Sequence, residues 1–213
     1  MRDIPMFTTE NGVASLLLTQ IPYTADAYVR IFDSTVLERF IEECADFCHM
    51  AGAKRVYFTG TNIPDIYPLF TEIWQMQYPA SKLPKTDATL VAVDDTNAEI
   101  WRKIYNDRMA DIPTAAFMSR ARTEQLLKSG NAYFIYRDTA LLGIGAVSEQ
   151  SIDCIASVTH GAGKDVLYTL ATVLMGDLVH LQVASENKRA VSFYEKLGFE
   201  KTDVKEIWYQ YIK

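Results

Sequence analysis

The residues best able to do chemistry in this chain are gathered between Ser151 and Phe199. His160-Gly161-Ala162-Gly163-Lys164 separates a run rich in β-branched residues, Ser151 to Thr159, from Val166, Leu167, Leu170, Val173 and Leu174, which recur at helical spacing. A glycine-bearing loop that opens a helix offers unpaired backbone N–H groups and the positive end of the helix dipole. The missing Cβ also lets a phosphate approach the main chain. The expected chemistry is anion binding. Two familiar phosphate motifs are excluded by residue type. A G-x-x-x-x-G-K-[ST] loop ending at Gly163-Lys164 would need glycine at Val158 and a hydroxyl at Asp165. A G-x-G-x-x-G loop starting at Gly161 would need glycine at Val166.

The elements around the loop must be strand, loop, helix, strand, helix. Val179 to Ser185 has the composition of the second strand. Asn187 has the chemistry to cap the following helix, Ala190, Phe193, Tyr194 and Leu197 fall on one of its faces, and Gly198 can end it. The run V-A-S-E-N-K-R-A-V-S-F-Y-E-K-L-G-F, following H-G-A-G-K-D, resembles the GNAT acetyltransferase superfamily. In that family a Q/R-x-x-G-x-G/A loop holds the pyrophosphate of acetyl-CoA. His160, Gly163 and Asp165 stand at the three diagnostic positions, and only the glycine matches strictly. The resemblance extends over Ala88 to Lys213, with the diagnostic residues confined to Val158 to Phe199.

What the resemblance implies is an α+β chain with the GNAT fold: a mixed, mostly antiparallel sheet with splayed strands, flanked by helices. The co-substrate is then acetyl-CoA, with no metal, and the acetyl group passes to a primary amine of a small molecule or peptide by direct attack. The co-substrate would meet Ser157, Val158, Thr159, His160, Gly161, Ala162, Gly163, Lys164 and Asp165, with Asn187 and Tyr194 beyond them. Backbone groups of Ser157, Val158 and Thr159 are expected to be free to hold the pantetheine arm and polarise the thioester. Tyr194 is expected to protonate the departing thiolate, since a phenol of ordinary pKa ~10 is mostly protonated at neutral pH. Packing on a helix face is the alternative role for it. The general base stays open between Asp153, Glu149 and a water chain. Asn106 to Met118 occupies the region that shapes the acceptor pocket in this family. A non-catalytic acyl-CoA-binding or interaction module is the alternative function, because His160 and Asp165 depart from the loop pattern.

Composition narrows the partners. Lys and Arg number 7 against 11 Asp and Glu in residues 1–88, and 14 against 16 in residues 89–213. Neither part is basic enough for sequence-independent nucleic-acid binding. Cys44, Cys48 and Cys154 are an odd number within apolar segments and are expected to be buried thiols. Cys44, Cys48 and His49 are helically spaced, but no second ligand pair completes a zinc site. No run reaches the roughly 18 apolar residues of a membrane span, and M-R-D-I-P-M-F-T-T-E-N-G has no leader core. A cytoplasmic protein is expected, with a homodimer compatible with the reading.

The remainder divides into an N-terminal unit, 1–87, and the GNAT domain, 88–213. Phe7 to Ile21 is expected to be a hairpin about Glu10-Asn11-Gly12. Strands follow at Tyr28 to Phe32 and Arg55 to Thr59, with a helix between them capped by Asp33 or Ser34. A second helix is expected within Pro64 to Gln77. Tyr28 to Trp74 would then be a degenerate GNAT half equivalent to Ile155 to Phe199, unable to bind CoA because Phe32-Asp33-Ser34-Thr35 replaces the glycine loop. From Ala88 the predicted order is strand, two helices, three strands, helix, strand, helix, strand.

Overall fold

The computed structural model describes residues 6–212. Met1 to Pro5, part of the stretch in which no leader core is expected, lies outside the described residues. The chain forms two compact units, one of residues up to Ile73 together with those from Val204 onward, the other Trp74–Asp203.

In the first unit, β1 (Met6–Thr9) and β2 (Gly12–Leu17) form the expected antiparallel hairpin, with Thr9 opposite Gly12. After the short α1 (Ile21–Thr24) come β3 (Asp26–Ser34), α2 (Leu37–Met50) and β4 (Arg55–Thr59). β4 lies parallel to β3, as a strand–helix–strand crossover requires. Phe40, Ile41, Cys44, Ala45 and Cys48 of α2 are buried against Ala14, Leu16, Val29, Val56 and Phe58. Each large side chain buried there contributes on the order of 2 kcal/mol.

Three expectations fail in this unit. The helix predicted within Pro64 to Gln77 is instead β5 (Leu69–Pro79), which places Thr71 and Ile73 on a buried face. Leu69, Phe70, Ile73 and Trp74 have helical spacing, but a run built of Phe, Thr, Ile, Trp and Tyr fits a pleated surface better. Asp33 and Ser34 do not cap α2, because β3 continues through them and Val36 stands at the helix start without a side-chain bond. The strand–helix–strand order expected of the repeat is present as β3–α2–β4, and the fourth element is a strand where the C-terminal half has a helix.

In the second unit, β6 (Thr89–Ala92), α3 (Ala98–Met109), α4 (Arg120–Ser129), β7 (Ala132–Arg137), β8 (Ala140–Ser148), β9 (Ser151–Ser157), α5 (Gly163–Ala171), β10 (Leu178–Ala184) and α6 (Lys188–Leu197) follow in the predicted order; β11 (Glu200–Gln210) comes last, its residues from Val204 belonging to the first unit. β6, β7, β8 and β9 are antiparallel neighbours, and β10 is parallel to β9. Val166, Leu167 and Leu170 of α5 pack with Ile152, Leu181 and Tyr194 on one side of the sheet. Trp101, Tyr105, Phe134, Ile144 and Ala156 form the core on the α3 side. Gly143 and Gly145 let α5 lie close on β8. A Cβ at Gly143 would meet Val166 at 2.7 Å, and one at Gly145 would meet Leu170 at 2.3 Å.

Candidate active site

Two irregularities in β9 create the site. Its parallel pairing with β10 consists of His180 opposite Ser151 and Leu181 opposite Ile152, and beyond these the two strands part. On the other edge the register passes from Ala146 opposite Cys154 to Val147 opposite Ile152, so Asp153 is an extra residue, a β-bulge. The bulge resets the pleat. Ile152 and Ile155 both join the α5 side while Cys154 and Ala156 face the α3 side.

The parting leaves specific backbone groups uncovered. Val158 donates its N–H to Leu142 O at 2.9 Å, and Thr159 donates to the same oxygen at 3.2 Å. Those two N–H groups, expected to be free, are spent on β8, a partner that a sequence does not reveal. In an antiparallel ladder hydrogen-bonded pairs alternate with non-bonded ones. With Val158 bonded to Leu142, the groups of Ile155 and Ser157 point away from β8, toward the gap left by β10. Ser157 is among the residues expected to have free backbone groups; Ile155 is not, because its edge depends on the register. The Ser157 hydroxyl donates to Thr159 O at 2.7 Å.

The loop then turns into α5. Gly161 has φ +80°, in the left-handed region that glycine adopts without strain. The first helical bond runs from Val166 N–H to Ala162 O at 3.0 Å, so the N–H groups of Gly163, Lys164 and Asp165 precede it. His160, Gly161 and Lys164 are exposed and Ala162 is buried. Gly163 faces α6: a Cβ there would lie 3.3 Å from the Phe193 ring. Asp165 is paired with Arg137, the last residue of β7. Arg137 Nη2 lies 2.8 Å from Asp165 Oδ1, and its Nε donates to Asp87 Oδ1, also at 2.8 Å. These carboxylates raise the Arg137 pKa further, the hydrogen bond to Asp87 contributing most.

On α6, Asn187 Oδ1 accepts the Ala190 N–H at 3.2 Å and Gly198 closes the helix at φ +92°, as the residue types predicted. This helix carries Tyr194 inward to 6% exposure. Its hydroxyl has no hydrogen-bond partner among the described residues. Burial first, and the nearby Cys154 thiol second, hold the phenol above its ordinary pKa. Cys154 itself is pushed up to about 12 by burial. From the α3 side Tyr105, stacked on Trp101 at 5.5 Å, also comes near Cys154 and is raised to about 12, chiefly by burial.

Asp153, at the bulge, accepts from Ser148 Oγ at 2.8 Å. Desolvation raises its pKa and the serine bond pulls it back. Glu149 is exposed, and its carbonyl accepts from Met175 N–H. Asn106 clasps the segment after α3, with Met118 N–H donating to its Oδ1 at 2.8 Å and its Nδ2 donating to Met118 O at 3.1 Å. Arg108 Nη2 donates to Val158 O at 3.3 Å, a tie from α3 to the end of β9. Among the described residues no three His, Cys, Asp or Glu converge as metal ligands, and no helix is long and apolar enough to cross a membrane.

No family model and no curated protein matches the chain. Among solved structures it is similar to a conserved protein of unknown function from Staphylococcus epidermidis, at 14% identity over 98% of this chain and 93% of that one, TM-score 0.64. A GCN5-related N-acetyltransferase from Sphaerobacter thermophilus aligns at 13% identity over 93% and 76% of the two chains, TM-score 0.61. One from Kribbella flavida aligns at 10% identity over 94% and 57%, TM-score 0.59. At these identities the likeness is one of architecture. With its helix-flanked mixed sheet parting at β9 and β10, this chain has the fold of the GCN5-related N-acetyltransferases.

Proposed function

We propose that the chain is an acetyl-CoA-dependent N-acetyltransferase, with the reacting groups within residues 88–213 and residues 1–87 in a supporting role. One juxtaposition carries the reading. The gap between β9 and β10 exposes backbone groups, the helix that follows β9 opens with N–H groups that make no helical bond, and the buried Tyr194 phenol, near Cys154 of β9, has no hydrogen-bond partner among the described residues. The pyrophosphate of acetyl-CoA would rest on the N–H groups from Gly163 to Asp165, with Lys164 and His160 at the rim. The pantetheine arm would run along Ile155 and Ser157, whose N–H groups are suited to polarise a thioester carbonyl.

In the step itself the amine nitrogen attacks the acetyl carbon and the C–S bond breaks. The thiolate takes the phenolic proton of Tyr194, and the proton lost by the amine passes to Asp153 or to water. A phenol held above its ordinary pKa stays protonated at neutral pH but is a weaker acid, so the transfer depends on the departing thiolate coming within hydrogen-bond reach of the hydroxyl. An Asp with a raised pKa is a stronger base once ionised.

Asp165, where the loop pattern has a small residue, favours a second reading: a module that binds acyl-CoA without turning it over. Calorimetry with acetyl-CoA followed by a thiol-release assay across primary amines separates the two. Binding with amine-dependent release supports the enzyme, binding without release across the whole panel supports the module, and no binding contradicts both.

A further inference from the structure

Asp165 occupies the first turn of α5, where a carboxylate ordinarily turns back on the free N–H groups of its own helix and favours the positive end of the dipole. In that position it would compete with any phosphate. The structure diverts it. The Arg137 guanidinium draws the Asp165 carboxylate toward the turn between β7 and β8, where Thr86 Oγ1 lies 3.5 Å from the same oxygen, and Asp87 holds the other edge of the guanidinium. Asp165 is less than one-third exposed, so the pairing is partly shielded from solvent, whereas Asp87 is nearly three-quarters exposed and serves mainly to orient the arginine.

We propose that Arg137 is a positioning residue for the co-substrate phosphates: it keeps the Asp165 carboxylate off the helix start and offsets its charge, so that the cradle accepts an anion despite carrying an acid. The proposal rests on the acetyl-CoA reading. It predicts that Arg137 acts through Asp165, so that the cost of losing the arginine disappears when the acid is removed as well.

The test is a set of calorimetric titrations with CoA and with pantetheine, which lacks the phosphates, on wild type, Arg137→Met, Asp165→Asn and the double variant, each first shown by a thermal melt to be folded. Arg137→Met should weaken CoA about tenfold, the effect of one uncompensated charge a few ångströms from a phosphate, and leave pantetheine unchanged. Asp165→Asn should bind CoA at least as tightly as wild type, and the double variant should return to within about twofold of it. Unchanged CoA binding in Arg137→Met, or a double variant as weak as Arg137→Met, overturns the proposal while leaving the acetyl-CoA reading in place. A wild type that binds pantetheine but gains nothing from the phosphates overturns the proposal as well. One that binds neither compound overturns the reading together with the proposal.

Discussion

Val158 is held from two sides: its N–H donates to Leu142 O at 2.9 Å and its carbonyl accepts from Arg108 at 3.3 Å. This fixes the end of β9 and decides which edge groups face the gap, since a slip of one residue would turn Ile155 and Ser157 toward β8.

Arg108→Met should loosen that end without unfolding the chain. The contact is an exposed hydrogen bond worth about 1 kcal/mol. A thermal melt should fall by no more than about 4 °C, while the acetyl-CoA dissociation constant rises severalfold. A larger fall in the melt with unchanged binding would make the arginine structural only.

The two loop glycines should behave differently. Gly163→Val pushes a side chain toward Phe193 of α6, and overpacking of this kind costs about 1–3 kcal/mol. The loss should be visible in the melt without any ligand. Gly161→Ala meets no neighbour within 4 Å but must hold φ +80°, which costs roughly 1 kcal/mol. A Gly163→Val protein as stable as wild type that still loses CoA would show that the side chain meets the phosphates instead.

Asp153 can be tested through its partner. Ser148 stabilises the ionised carboxylate, so Ser148→Ala should raise the Asp153 pKa further. If Asp153 is the base, the acid limb of the kcat/KM profile should lie above the ordinary aspartate value in wild type and move to still higher pH in Ser148→Ala. An acid limb that does not move between the two assigns the proton to water or another group.

The order of elements from β6 onward was legible because each helix carries its own periodicity and punctuation, such as Asn187 and Gly198 about α6. β5 was not, since Leu69, Phe70, Ile73 and Trp74 satisfy helical spacing and strand composition together, and only tertiary pairing decides between them. The site was legible in part. Local chemistry marks Gly161, Gly163 and Tyr194. Arg137 reaches Asp87 and Asp165 across long stretches of chain, and its place at the end of β7, next to a hairpin turn, suggests nothing but solvent. The bulge at Asp153 and the edge orientation of Ile155 are properties of strand register, which no single segment encodes.

The most direct test of acetyl transfer at this site is amine-dependent release of the CoA thiol by wild type and Tyr194→Phe. Removing the hydroxyl keeps the ring that packs on Phe193 and Phe199, and because it has no protein hydrogen-bond partner among the described residues, the melt should not fall. Amine-dependent release is expected in wild type, with a decrease in kcat of ~10²-fold or more in Tyr194→Phe and the KM for acetyl-CoA nearly unchanged. No release by wild type with any amine, or a near-normal kcat in Tyr194→Phe, would contradict it.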